Sequence, residues 1–422
     1  MLDIKFIREN KDLVLEGARK KRISFDIEAL LSADDARRAL LVQVEEKRSR
    51  QNEMSQKIAS ESNATVKLEL IDSMRVVKEE LQKQEEELRT IMVNWQKLMV
   101  EVPNIPDISV PEGENEEDNK EIRVWGEKPS FAFTPKNHID ILTALGMVDL
   151  ERGVKVSGFR GYFLTGAGAE LSFAIWQYAL KFFSEKGFLP VIAPSLVRRE
   201  NMLGTGFIPQ GEEDLYKTQD REYLAGTAEV GLMGLHANEV LDMKGLPKRF
   251  LGFSPCFRRE AGSHSRDIKG LIRVHEFFKM EQVVLCEASH EASVTFHEEL
   301  HRNTEEFIES LKIPYRTVLN CGADLGLGQV KKYDIELWVP LENTYREIGS
   351  TSYFHDFQTR RLNIRYKDSE GKLRYAHSLN STAIPTPRIL VSLAENYQEA
   401  DGSLRIPEVL TPYMGGRTKI SL

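Results

Sequence analysis

Pro255-Cys-Phe-Arg-Arg-Glu-Ala-Gly-Ser-His-Ser-Arg-Asp-Ile-Lys-Gly-Leu-Ile-Arg-Val-His-Glu-Phe-Phe-Lys-Met-Glu281 is the densest polar segment of the chain. It carries Arg258, Arg259, Arg266, Lys269, Arg273 and Lys279, with apolar stretches on both sides. The pattern reads as strand, long basic loop, strand, and places Arg258 and Arg273 on neighbouring strands. Arginine offers a planar fork of donors to phosphate or carboxylate, so the arrangement suits a phosphate-bearing ligand. Taken alone, a solvated basic loop gives the same pattern.

Outward from this segment, strand-like runs occupy 249–254, 277–285, 332–339 and 346–352, and helical patterns occupy 171–186 and 290–311. Gly187 supplies a stop for the first helix. Loops and polar excursions separate the strands, not regular helices. That predicts an α+β body, an antiparallel sheet flanked by helices, over a doubly wound parallel sheet. No P-loop signature is present, and no GxGxxG follows a strand. Gly322-Ala-Asp-Leu-Gly-Leu-Gly328 fits neither spacing and reads as a loop.

Residues 1–100 differ in kind. They contain no proline, one glycine (Gly17), and 19 residues of each charge. Met74, Val77, Leu81, Gln84, Leu88, Ile91, Trp95, Leu98 and Val102 alternate spacings of three and four, a helical seam. Leu30, Ala33, Arg37, Leu40, Val44, Lys47, Gln51, Met54 and Ile58 repeat the alternation with three polar interruptions. Between them, Glu61-Ser-Asn-Ala-Thr65 reads as a turn with Ser62 or Asn63 as N-cap. The expectation is an antiparallel two-helix coiled coil over about 27–102, each helix roughly 54 Å long. A bundle hairpin packed on the body and a free-standing arm both fit; the narrow apolar seam favours the arm. Val102-Pro-Asn-Ile-Pro106 and the acidic run after it break the periodicity. The expected domains are 1–102, a linker over 103–120, and a body over 121–422.

The 422 residues are 41% hydrophobic and 29% charged, enough for a large core, and the formal net charge is −8. That argues against a protein held to nucleic acid by bulk positive charge, while leaving room for a local site. Three cysteines are too few and too scattered for a disulfide framework or a zinc site, so no zinc is expected. No apolar run reaches a membrane span, and the charged start is unlike a signal peptide. The expected setting is the cytoplasm, with no membrane partner.

Three ordered stretches carry a family resemblance. Phe257-Arg258-Arg259-Glu260, followed by a basic loop and Arg273-Val-His-Glu-Phe277, resembles motif 2 of class II aminoacyl-tRNA synthetases. The stretch from Asn380 to Arg388 resembles motif 3, and Gly187-Phe-Leu-Pro-Val-Ile-Ala-Pro194 resembles motif 1. More narrowly, the chain is similar to the bacterial seryl-tRNA synthetases. The opening Met-Leu-Asp-Ile-Lys-Phe-Ile-Arg-Glu-Asn, Val102-Pro-Asn-Ile-Pro, Thr227-Ala-Glu229 and Pro407-Glu-Val-Leu-Thr-Pro-Tyr-Met extend it nearly end to end.

The resemblance implies activation of L-serine by ATP to seryl-adenylate, then transfer to tRNA(Ser), with tRNA(Sec) as a further candidate substrate. It implies Arg258 at the α-phosphate and serine carboxylate, and Arg388 at the γ-phosphate. Glu260 falls near adenine and Phe277 where adenine stacks, with Arg259 and Arg273 beside the nucleotide. Glu347, Ile348, Gly349 and Ser350 line the ATP site, and Glu347 and Ser350 fall near Mg²⁺. Thr227, Ala228, Glu229, Glu281 and Asn380 surround serine, and Thr382 meets its hydroxyl. Pro194 lies in a homodimer interface, and the helical arm grasps the long variable arm of tRNA. A site built around a hydroxyl rejects the analogue lacking it, so no editing domain is needed against alanine. Gly231, Gly349, Tyr353 and Ser381 depart from the family pattern. A carrier-protein ligase would have no use for the arm, and an inactive adaptor would not need Arg258, Arg388 and Glu281.

Overall fold

Asp26 and Asn63 set the starts of the two long N-terminal helices. In the computed structural model, which describes residues 1–261, 267 and 269–421, helices α1 (Ile4–Glu9) and α2 (Lys11–Lys20) precede α3 (Ile27–Ser60) and α4 (Ala64–Glu101). Asp26 accepts from the Ala29 N–H, and Asn63 accepts from those of Thr65 and Val66. These contacts satisfy amides that a helix start otherwise leaves unpaired. Arg266, counted in the basic loop, lies outside the described residues.

Contact density divides the chain into two units. One is Leu2–Arg19 with Ile23–Pro103; the other is Met1, Lys20–Arg22 and Asn104–Leu422. Within the first, α3 and α4 run antiparallel. Arg37 meets Trp95, Gln43 meets Gln84, Lys47 meets Glu80 and Ser55 meets Met74. Leu40, Val44 and Leu81 form the buried seam, with Leu88 and Ile91 against it. Two of the three polar interruptions have side-chain partners: Arg37 lies 4.8 Å from the Trp95 ring and pairs with Asp34, and Lys47 pairs with Glu80 at 2.6 Å.

The second unit is built on an eight-stranded sheet. Its strands are β1 (Lys120–Trp125), β2 (Leu189–Ile192), β3 (Lys248–Phe257), β4 (Glu276–Cys286), β5 (Tyr315–Leu319), β6 (Lys331–Val339), β7 (Thr344–Tyr353) and β8 (His377–Thr386). The order is β1-β5-β6-β7-β8-β4-β3-β2, antiparallel throughout except for edge strand β2, which runs parallel to β3. The α+β expectation holds. Strand β3 runs three residues past the expected end, through Pro255, Cys256 and Phe257. Arg258 and Arg273 sit just outside their strands, not on them, because β3 ends at Phe257 and β4 begins only at Glu276.

Four further helices matter to the site: α5 (Ala167–Glu185), α6 (Ala228–Gly234), α7 (His290–Ser310) and α8 (Arg388–Tyr397). α7 closes one face of the sheet. Gln282, fully buried on β4, donates to the Leu300 carbonyl and to Thr304, and Thr304 donates to the Thr382 carbonyl. The opposite face, carrying Glu281, is left for the cavity. Among the described residues no helix is long and apolar enough to cross a membrane.

Replacing Leu81, 6% exposed in the α3–α4 seam, with alanine removes the centre of that small cluster. The loss expected is about 2–5 kcal/mol. Thermal melts followed by helical circular dichroism should show a lower transition for the hairpin.

Candidate functional site

Two bulges decide which side chains share the open face. Strand residues alternate between faces, so positions three apart normally point opposite ways. On β7 one extra residue is inserted: Glu347 pairs with Glu336, Gly349 with Ile335, and Ser350 with Asp334. Glu347 and Ser350 therefore fall on one side. On β8, Ile384 pairs with Met280 and Thr382 with Glu281, so a second bulge brings Thr382 and Asn380 to the face of Glu281. Bulges are common beside functional sites because they re-aim side chains.

The result is a cavity of about 380 Å³. Lining it are Thr227, Glu229, Arg258, Glu260, Arg273, Phe277, Glu281, Glu347, Ile348, Gly349, Ser350, Asn380, Thr382 and Arg388. Three sequence-derived residues lie elsewhere. Arg259 is turned away: its side chain donates to the Glu213 carbonyl and its N–H to that of Asp214. Ala228 is buried beneath Gly252, whose Cβ, if present, would lie 2.8 Å from it. Pro194 is exposed at the end of β2.

One end of the cavity is cationic. The Arg258 guanidinium lies 5.2 Å from the Phe277 ring centre, and the Arg258 backbone N–H donates to the His275 carbonyl. Arg273 pairs with Glu260 at 2.5 Å. Arg388, the first residue of α8, donates to the carbonyls of Ile272 and Glu347, both at 2.9 Å. Burial lowers its pKa; the Glu347 carboxylate opposes this, and the charges of Arg258 and Arg273 add to it. Among the described residues neither Arg258 nor Arg388 has a carboxylate partner. This end is short of negative charge.

The other end is anionic. Four residues along β4 from Phe277, about 13 Å away, Glu281 is buried beside Lys279, Thr227 and Glu229. Lys279 donates to Glu281 at 2.8 Å and to Thr227 at 2.9 Å. Thr227 donates to Glu281, as does the Glu229 N–H. Gln358 holds the Glu229 carboxylate at 2.6 Å and is itself fixed by Ser378. Two carboxylates face one ammonium. Burial first, and the Glu281 charge second, push Glu229 up to about 7.

Lys279 was named in the sequence only as part of the basic segment, with no role of its own, and Gln358 and Gln329 were not singled out. A signal for Lys279 existed: Phe277, Lys279 and Glu281 alternate on one strand and so share a face. Nothing local marks Gln358, which reaches Glu229 from 129 residues away. The departures also find places. A Cβ at Gly349 would lie 2.5 Å from that of Thr382, so glycine there makes room for the threonine. Ser381 lies on the α7 side against Thr351, and Tyr353 donates to Asp107.

The chain has close counterparts among known families and solved structures. Residues 1–106 match the model of the seryl-tRNA synthetase N-terminal domain, and 215–397 that of the class II tRNA synthetase core domain (G, H, P, S and T). The serine–tRNA ligase of Deinococcus radiodurans is 46% identical over 418 residues, covering 99% of this chain and 98% of its own. The chain belongs to the seryl-tRNA synthetase family. The serine–tRNA ligase of Thermodesulfovibrio yellowstonii is 44% identical over 422 residues, covering 98% and 99%. Among solved structures, the seryl-tRNA synthetase of Pyrococcus horikoshii complexed with ATP superposes with a TM-score of 0.88 at 39% identity, covering 100% of this chain and 99% of that one. This synthetase is a class II enzyme, and its catalytic sheet is the antiparallel one described above.

The raised pKa of Glu229 has a consequence for stability. The folded protein holds a proton that an ordinary glutamate releases near 4.5. Between 4.5 and about 7, stability therefore falls as pH rises. Glu229→Gln should flatten this dependence, so that wild type loses melting temperature relative to the variant from pH 5 to 8. Parallel curves would contradict it.

Proposed function

We infer that the two-ended cavity is where serine and ATP meet, and that the protein is a serine–tRNA ligase. The observation that carries this is the charge pattern: one surplus carboxylate beside a hydroxyl-lined wall at Glu281, and near Phe277, four residues back along the same strand, an under-neutralised arginine cluster supplied by the neighbouring loops and by Arg388. An α-ammonium docked among Thr227, Glu229 and Glu281 supplies the missing cation and draws the pKa of Glu229 back down. Thr382 and Asn380, facing Glu281, are the partners for the rest of serine.

Activation requires two anions to approach. A serine carboxylate oxygen forms a bond to the α-phosphorus, and the bond from that phosphorus to the bridging oxygen of pyrophosphate breaks. Arg258 holds the carboxylate and α-phosphate together and neutralises the charge that gathers there. Arg388 holds the γ-phosphate end of the leaving pyrophosphate. Adenine lies on Phe277, with the Glu260–Arg273 pair beside it. Arg259 supports the loop from Asp214 and does not contact nucleotide.

Mg²⁺ fits the residues present: the Glu347 carboxylate has no ion pair among the described residues, and Ser350 shares its side of the sheet. When bound, the ion offsets phosphate charge, as carboxylate-plus-phosphate sites commonly do. The homodimer is proposed on edge strand β2. Leu189 and Ile192 are 59% and 83% exposed, and beside them lies a mostly apolar cavity of about 1110 Å³ lined by Phe163, Phe173 and Trp176. An open strand edge beside apolar surface favours a second copy. Residues 1–102 are proposed as the tRNA-binding domain, 103–120 as its linker and 121–422 as the catalytic domain, acting in the cytoplasm.

Serine-dependent exchange of pyrophosphate into ATP tests the assignment. Arg258→Ala and Arg388→Ala should each lower it about 10²–10³-fold; exchange with another amino acid in place of serine would overturn the substrate. Deleting residues 30–100 should leave exchange intact and depress tRNA charging. Unchanged charging would overturn the arm's role.

A further inference from the structure

From the glycine-rich stretch 322–328 and the residue after it, Gly326, Leu327, Gly328 and Gln329 line the cavity opposite the sheet residues. Within the same compact unit, their carbonyls are gathered from behind. Lys21, 2% exposed, donates to the carbonyls of Gly326 and Leu327 at 3.0 Å and of Gln329 at 2.5 Å. Three carbonyls match the three donors of one ammonium. Among the described residues no carboxylate pairs with Lys21, and burial alone sets its pKa well below the usual lysine value. A buried ammonium satisfied only by main-chain oxygens holds those oxygens in place, since releasing them leaves the charge unsolvated. Asn104 adds two bonds, from its N–H to the Leu327 carbonyl at 2.8 Å and from its side chain to that of Gly328 at 3.1 Å.

The front of the wall touches the anionic end. Gln329 accepts from the Gly326 N–H and donates to Ser352 at 2.8 Å, and Ser352 pairs in register with Asn380. We propose that Lys21, with Asn104, is a positioning residue for the serine end of the cavity: it fixes wall 326–329 so that Gln329, Ser352 and Asn380 stay in register. Lys21 touches neither substrate. Lys20–Arg22 stands in sequence between the stretches Leu2–Arg19 and Ile23–Pro103 of the helical unit, and Asn104 follows Pro103 directly. The inference rests on the assignment of this end to serine.

The test uses the full-length protein with Lys21→Met, and Asn104→Ala as a milder second variant. The expected result is a KM for serine raised about tenfold in pyrophosphate exchange, with the KM for ATP within about twofold. Hydrogen exchange should also speed up in the peptide spanning 325–330 and not in β4. A rise confined to ATP, with faster exchange at 325–330, would keep the wall's role and overturn the serine assignment. A lower melting temperature in both variants, with both KM values and the peptide's exchange unchanged, would overturn the proposal. If Lys21→Met does not fold, Asn104→Ala carries the same readouts, and each outcome counts for or against the proposal in the same way.

Discussion

Strand alternation is the constraint on which this site depends. A sheet gives each strand only every second side chain on a given face, and α5 and α7 cover one face with core. Whatever chemistry the strands supply must then come from the other parity. Phe277, Lys279 and Glu281 meet that demand on β4 unaided. Strands β7 and β8 meet it only because each carries an extra residue, which turns Ser350 to the side of Glu347 and Thr382 to that of Glu281. Without the bulges, the residues proposed for metal and hydroxyl contacts would be split between cavity and core.

The same face separates charge. At one end the guanidiniums of Arg258 and Arg388 have no carboxylate partner among the described residues; at the other, two buried carboxylates share one lysine. Each end is unfavourable by itself, and each is relieved by a ligand group of opposite sign. A zwitterionic amino acid and a polyphosphate, placed carboxylate to α-phosphate, relieve both. Chain-average charge says nothing of this, because −8 spread over 422 residues conceals a basic cluster and an acidic pocket that line one cavity.

Much of this was legible in the sequence where a local rule applies. The three–four alternation located α3 and α4, Asn63 proved the cap, and the antiparallel α+β body followed from strands separated by irregular loops. Arg258, Glu281, Thr227, Glu229 and Arg388 came from motifs and converge on one cavity. What was missed depends on distant contacts. Lys279 is only one charge of a basic segment until its strand is known to be buried, and nothing local marks Lys21 before its bonds to the carbonyls of Gly326, Leu327 and Gln329 are seen. Arg259 shows the reverse error: its motif position is that of a nucleotide contact, but the backbone turn after β3 directs it to Glu213. The glycine-rich loop read correctly as a loop, yet no spacing rule announced that it walls the cavity.

The most direct measurement is a crystal structure with a non-hydrolysable seryl-adenylate analogue. Its ammonium should lie among Thr227, Glu229 and Glu281, its hydroxyl on Thr382, its phosphate-mimicking linker on Arg258 and its adenine on Phe277. An analogue bound in the reverse sense, or outside this cavity, would contradict the assignment of the two ends.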